Sequence, residues 1–119
     1  MIEQLTGRVF EARDLAHSSH WATKSFAEHS ALGTFYSDVI DAVDELVENY
    51  QACFGIIGPP EDSEEEEDDC PILDCLREDV RWIKKNSDKI TQGLTPLQNL
   101  LDNLCSVYLK TIYKLENLS

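Results

Sequence analysis

The chain has 119 residues and a formal net charge of −13, from 23 acidic and 10 basic side chains. This length suits one domain with a real hydrophobic core. Phosphate backbones attract basic surfaces, and no cluster of lysines and arginines occurs here, so direct binding of nucleic acid is not expected. No apolar run approaches 18 residues and no signal peptide is evident, so we expect no membrane span and a cytoplasmic protein.

Two helices are predicted in the first half of the chain, at residues 2–21 and 26–54. Apolar residues recur every three or four positions along both. Ser25 precedes the second helix as a candidate N-cap, with Glu28 three residues later in a capping-box pattern, and Gly55 ends it. The predicted core stripe of the second helix comprises Leu32, Tyr36, Val39, Val43, Leu46, Tyr50 and Cys53.

Residues 55–70, GIIGPPEDSEEEEDDC, differ completely in character from the helices on either side. The glycines and prolines oppose helix formation, and the acidic run repels itself and stays solvated. A flexible linker is favoured over a calcium site because the EF-hand spacing is absent. The extended linker reaches about 50 Å, whereas the second helix is about 43 Å long, so the linker can return along that whole helix.

Two more helices are predicted at 71–91 and 96–117. Pro71 suits the first turn of the third helix, and Thr95-Pro96-Leu97-Gln98 resembles a capped start for the fourth. The short turn between them indicates antiparallel neighbours. The predicted fold is therefore all-α: one four-helix bundle over residues 1–119, with the single long crossover, between helices 2 and 3, that is typical of ferritin-like bundles.

Four cysteines, Cys53, Cys70, Cys75 and Cys105, are scattered without a CxxC pair. In a reducing compartment such cysteines are usually small buried hydrophobic residues. We favour that interpretation over disulfides or a zinc site.

A second row of residues flanks the core stripe of the second helix, within a sector of about 100°: His29, Gly33, Ser37, Ile40, Asp44 and Glu48. An imidazole lies at one end and two carboxylates at the other. The nearer carboxylate, Asp44, is about 22 Å from His29 along a single helix, so one ion cannot bridge them. Two such helices crossing antiparallel about a two-fold axis would bring His29 of one copy near Asp44 and Glu48 of the other. The competing interpretation is that Asp44 and Glu48 are simply solvated.

The order His20-Trp21, then His29, then Asp44-x-x-x-Glu48 resembles the ferroxidase signature of Dps, the DNA-protecting ferritin relatives of starved cells. The segment between the two histidines is about three residues shorter than in that family. The basic tail with which many members bind DNA is missing. Trp21 itself is expected to anchor the core or an interface.

The resemblance implies a metal site built from His20 and His29 of one chain and Asp44 and Glu48 of its two-fold mate. Iron, cycling between Fe(II) and Fe(III), is the expected metal, with Mn or Zn as alternatives and no organic cofactor. In the family, peroxide oxidises the iron, and a dodecameric cage stores the product. Gly33 stands where the family has a further aspartate ligand, so at most one well-held metal per site is expected.

A second interpretation is a non-catalytic, acidic helical scaffold that kept the ferritin-like fold for interactions, as compact bacteriophage-encoded members would. The short chain, the glycine at a ligand position and the absent basic tail favour it. A mimic of nucleic acid, with carboxylates imitating phosphates, ranks third, because the densest acidic run lies in the linker. The third and fourth predicted helices contain no histidine, which excludes the Glu-x-x-His di-iron centre of ferritins.

Overall fold

The computed structural model describes residues 1–62 and 70–118. These form four α-helices and no strand: α1 (Ile2–Ala22), α2 (Phe26–Phe54), α3 (Ile72–Thr91) and α4 (Thr95–Asn117). The predicted all-α, four-helix architecture is confirmed, and every helix boundary lies within one residue of its prediction. The acidic run at 63–69, the centre of the predicted crossover, lies outside the described residues.

Each helix packs mainly against two others, so that the four make a closed ring in cross-section. α1 contacts α2 and α3, and α4 contacts α2 and α3. Residues 23–25 join α1 to α2, and residues 92–94 join α3 to α4, so each pair forms a helical hairpin. The bundle is therefore two hairpins packed side by side.

The core comes from the inward stripe of each helix, and its largest fully buried side chains include Leu5, Leu32, Phe35, Leu46, Leu76, Ile90, Leu97, Leu104 and Tyr108. Phe35 was absent from the predicted stripe, whereas Tyr36 and Tyr50 are only half-buried and Cys53 is exposed. The inward face of α2 is thus slightly rotated from the predicted one, because packing against both α1 and α4 decides which apolar side chains point inward.

The start of α2 has the predicted cap, with one change. The Ser25 hydroxyl accepts a hydrogen bond from the Glu28 backbone N–H at 3.2 Å. The Glu28 carboxylate does not return to Ser25 but accepts a bond from the Thr23 hydroxyl at 3.1 Å. Gly55 ends α2 with φ 96°, in the region that favours glycine.

The starts of α3 and α4 differ from prediction by one residue each. Pro71 is the N-cap of α3 rather than part of its first turn, and Leu94 rather than Thr95 is the N-cap of α4. Neither cap makes a side-chain hydrogen bond. Both helices therefore begin without the side-chain acceptor that stabilises the start of α2.

The connection after α2 turns back onto α1. The backbone N–H of Glu61 donates to the carbonyl of Glu3 at 2.9 Å. The Glu61 carbonyl lies so close to Gly7 that a β-carbon there would overlap it. Gly7 is thus required because the chain crosses the surface of α1 at this point.

The interpretation of the cysteines as buried apolar residues was wrong. Cys70 and Cys75 form a disulfide, Cys53 is exposed, and Cys105 is half-buried. The pair escaped notice because its two residues lie on opposite sides of the start of α3, which brings their Cα atoms within 6.1 Å of each other.

Candidate metal site

The hairpin of α1 and α2 brings His20 and His29 together. His20 lies in the last turn of α1 and His29 in the first turn of α2. Their imidazole rings stack, with centroids 3.6 Å apart and planes 19° from parallel. The three-residue connection between the helices leaves the two rings facing each other across the hairpin.

Each of these histidines binds the backbone of the other. His20 Nδ1 donates to the carbonyl of His29 at 2.6 Å, and His29 Nδ1 donates to the carbonyl of His20 at 2.8 Å. A carbonyl oxygen can only accept, so each Nδ1 carries a hydrogen, and Nε2 is then the ring nitrogen left to bind a metal through its lone pair. A backbone carbonyl on the second ring nitrogen is the usual support of a histidine that binds a metal.

The third histidine of the chain belongs to the same cluster. His17 stacks on Tyr36 at 4.2 Å between ring centroids, and Trp21 packs against His17 at 4.5 Å. Trp21 is nonetheless 72% exposed, so the expectation that it anchors the core was wrong. It covers the histidine cluster from outside, and its role at an interface stays a prediction.

Gly33 lies directly beneath the ring of His20. A β-carbon on Gly33 would be 3.1 Å from His20 Cε1 and 3.3 Å from Nδ1. These distances are tighter than ordinary contacts, so the ring would have to move. Gly33, which has no side chain, therefore makes room for the His20–His29 pair.

Asp44 and Glu48 are exposed on α2, one turn apart. Asp44 lies about 22 Å and Glu48 about 28 Å along the helix from His29, so one chain brings the two imidazoles together but not the carboxylates. Within residues 1–62 and 70–118, no group of three or more His, Cys, Asp or Glu side chains could hold a metal ion. The assignment of Asp44 and Glu48 as ligands depends on a second copy and stays a prediction.

A polar cluster inside the bundle was missed by the sequence analysis. Asp79 is only 7% exposed, accepts a hydrogen bond from the Tyr108 hydroxyl at 2.9 Å, and pairs with the Arg8 guanidinium at 3.2 Å. Arg8 in turn lies 4.8 Å from the centroid of the Trp82 ring. The sequence did contain a signal for this cluster, because Asp79 lies on the apolar face of α3, between Leu76 and Ile83.

Burial raises the pKa of Asp79 to about 6, although the hydrogen bonds from Tyr108 and Arg8 oppose the shift. Burial also raises the pKa of Tyr108, and the neighbouring Asp79 carboxylate adds to that effect. Every polar atom of this carboxylate already has a partner within the chain. The cluster ties α1, α3 and α4 together, and it contrasts with the histidine pair, whose Nε2 atoms make no hydrogen bond among the described residues.

The family model DUF5856, described as a family of unknown function, matches residues 20–115, so the chain belongs to this family. The match begins at His20 and includes His29, Asp44 and Glu48. The comparisons with curated proteins and with solved structures found no match. Among the described residues, no helix is long and apolar enough to cross a membrane.

Proposed function

We propose that this member of the DUF5856 family binds a divalent transition metal, iron foremost, at a site shared between two copies of the chain. His20 and His29 of one copy supply two imidazoles, and Asp44 and Glu48 of the other supply two carboxylates. The proposal is carried by the stacked histidine pair, whose reciprocal hydrogen bonds use both Nδ1 atoms and leave both Nε2 atoms without a hydrogen-bond partner among the described residues.

The chemistry of the donors supports this choice of ion. Two imidazoles and two carboxylates suit Fe(II), Mn(II) and Zn(II). Because each Nδ1 is held by a backbone carbonyl, the rings are oriented before a metal arrives, and less conformational freedom is lost on binding. The resemblance to Dps adds a reaction: ferrous iron would be the substrate, oxidised to ferric iron with peroxide as the electron acceptor.

The surface of α2 between the two ends of the site suits a close approach of two copies. Ser37, which lies between His29 and Asp44 along the helix, is small and exposed. Small residues at the crossing point let two helices approach closely, and a two-fold axis there places His29 of each copy opposite Glu48 of the other. The proposal therefore includes a two-fold homodimer, which a dodecameric cage of the Dps kind would also contain.

The test is an anaerobic Fe(II) titration of the purified protein, read by calorimetry. We expect about one ion per chain, lost both in His20→Ala with His29→Ala and in Asp44→Ala with Glu48→Ala. The matched control is Asp38→Ala with Glu45→Ala, which removes the same charge from exposed positions of the same helix. If the carboxylate variant binds iron as the wild type does, the assignment of Asp44 and Glu48 is wrong.

Mixing the two variants that do not bind iron, the histidine variant and the carboxylate variant, tests whether the site is shared between two chains. After exchange of subunits, half of the dimers carry one chain of each variant, and each such dimer has one complete site. Binding should then recover to about one quarter of the wild-type capacity. No recovery, with subunit exchange confirmed by mass, would contradict a site shared between the histidines of one chain and the carboxylates of the other.

The second candidate function is a non-catalytic scaffold. One observation favours it: both Nδ1 atoms already join α1 to α2, so the histidine pair has a structural role without any metal. In that case the wild type would show no saturable binding of Fe(II), Mn(II) or Zn(II), and its melting temperature and particle mass would not change when these ions are added.

A further inference from the structure

Cys70 and Cys75 enclose the start of α3. Cys70 lies two residues before the first helical residue, Ile72, and Cys75 lies in the first turn. Their Cα atoms are 6.1 Å apart, within the range in which a disulfide closes without backbone movement. We propose that this pair is a reversible thiol–disulfide site whose oxidation holds the start of α3 closed. The proposal does not depend on the metal site.

The position of each cysteine distinguishes the pair from the other two. Cys75 lies at the N-terminal end of a helix, where the partial positive charge favours a thiolate, the reactive form. Cys53 lies at the other end of its helix, the C-terminal end of α2, and is not bonded to another cysteine. Cys105 is half-buried, and burial raises the pKa of its thiol. The structure therefore favours Cys75 as the attacking sulfur, and Cys70 is the only cysteine bonded to it.

The disulfide has a clear mechanical role because α3 lacks a side-chain cap. The N-cap residue, Pro71, offers no side-chain acceptor, and its carbonyl accepts the first helical bond, from the N–H of Cys75 at 3.0 Å. Ile72 in this turn and Leu76 directly after it are buried in the core. A covalent bond from Cys70 to Cys75 ties the residue before the cap to the end of the first turn, which opposes fraying and exposure of Ile72.

The exchange balances with a small-molecule disulfide of the glutathione class as oxidant. The Cys75 thiolate attacks one sulfur of that disulfide, forms a mixed disulfide and releases one small thiolate. The Cys70 thiolate then attacks the Cys75 sulfur, forms the Cys70–Cys75 bond and releases the second small thiolate. Two protein thiols are oxidised and one small disulfide is reduced to two thiols. The reverse sequence, with two small thiols, opens the bond.

The first experiment equilibrates the folded chain in glutathione buffers of graded ratio, traps free thiols by alkylation and reads each cysteine by peptide mass. We expect Cys70 and Cys75 to be oxidised together as one two-electron couple, with one bond between them. Cys53→Ser should titrate as the wild type does, whereas Cys70→Ser should leave no internal bond. Free thiols at both positions at every ratio, or a separate glutathione on each, would overturn the proposal.

The second experiment measures hydrogen exchange of the backbone amides that make the first helical hydrogen bonds of α3, beginning with Cys75. Exchange should be about tenfold slower in the oxidised wild type than in the reduced one, because local opening is less frequent when the turn is tied. Cys70→Ser should exchange at the reduced rate under both conditions, and the amides of α4 serve as the internal control. Equal rates in the two redox states would overturn the role in holding α3.

Discussion

The histidine pair at the α1–α2 turn and the aspartate cluster inside the bundle use polar side chains in opposite ways. His20 and His29 are nine positions apart, lie at the surface, and leave one nitrogen each without a partner among the described residues. Asp79 reaches partners 29 and 71 positions away, is buried, and has both oxygens bonded. The first cluster is therefore available to a ligand, and the second is committed to the fold.

The largest effect should come from the buried cluster. Tyr108→Ala removes a fully buried ring that packs against Phe35 and also takes the hydroxyl from Asp79. We expect a loss of about 4–6 kcal/mol in the free energy of unfolding, measured by urea denaturation. The control, Tyr108→Phe, keeps the ring and should lose only about 1–2 kcal/mol. Equal losses in the two variants would show that the hydrogen bond, not the packing, dominates.

The next effect is a pH dependence that originates in Asp79. Its pKa is raised in the folded state, from 3.8 to about 6, so the folded chain binds the proton more tightly than the unfolded one. The contribution to stability is complete below pH 3.8 and is lost as the pH rises through about 6. A shift of about two pKa units corresponds to about 3 kcal/mol.

Comparing Asp79→Asn with the wild type separates the effect of Asp79 titration on stability from that of the many other carboxylates. The amide keeps an oxygen that can accept from Tyr108 but does not titrate. Between about pH 4 and pH 7, the unfolding free energy of the wild type should fall relative to that of the variant. A constant difference across this range would contradict the raised pKa.

A smaller effect is expected at Gly7, where α1 meets the connection after α2. Alanine is the better helix former by about 1 kcal/mol, but its β-carbon would overlap the Glu61 carbonyl. We expect a net loss of about 1–3 kcal/mol in the free energy of unfolding and faster proteolysis at residues 55–62. Gly58→Ala is the control, since its β-carbon would be 3.7 Å from Glu3 Cγ, an ordinary contact. Equal stability and equal proteolysis of the two variants would mean that the connection moves away from the added β-carbon at no cost.

The smallest effect on stability should come from the histidine pair. His29 is exposed, so His29→Ala should cost less than about 1 kcal/mol in urea denaturation, although it removes one hydrogen bond and the ring stack. The same variant should lose the Fe(II) binding proposed above. Ser30→Ala, at the exposed neighbouring position, should change neither property. A loss of several kcal/mol would show that the pair serves the fold first.

The sequence was most informative where interactions are local. The four helices, the Ser25 cap and the end of α2 at Gly55 could be predicted because apolar spacing and capping act within a few residues. The meeting of His20 with His29 follows from the same kind of reasoning, since a three-residue turn joins their helices. Their hydrogen bonds to each other's backbone were not predicted, because these depend on how far the two helices overlap.

The sequence was least informative about partners from distant segments. Nothing local marks Tyr108 as the partner of Asp79, or Glu61 as the residue that covers Gly7. The bond between Cys70 and Cys75 was not predicted. It depends on where α3 begins, and the sequence analysis placed that start one residue too early, at Pro71. Whether Asp44 and Glu48 meet the histidines of another copy depends on an association that lies beyond a single chain, so it stays a prediction.

By itself the sequence determined where the helices lie and where they turn, because backbone hydrogen bonding, capping and glycine conformation depend on neighbouring residues. Only the tertiary structure decided which face of each helix points inward, which carboxylate is buried beside a tyrosine, and which imidazole nitrogens keep free lone pairs. Those outcomes depend on the packing of several helices at once, and the energy of a buried polar group depends on the partner that packing provides.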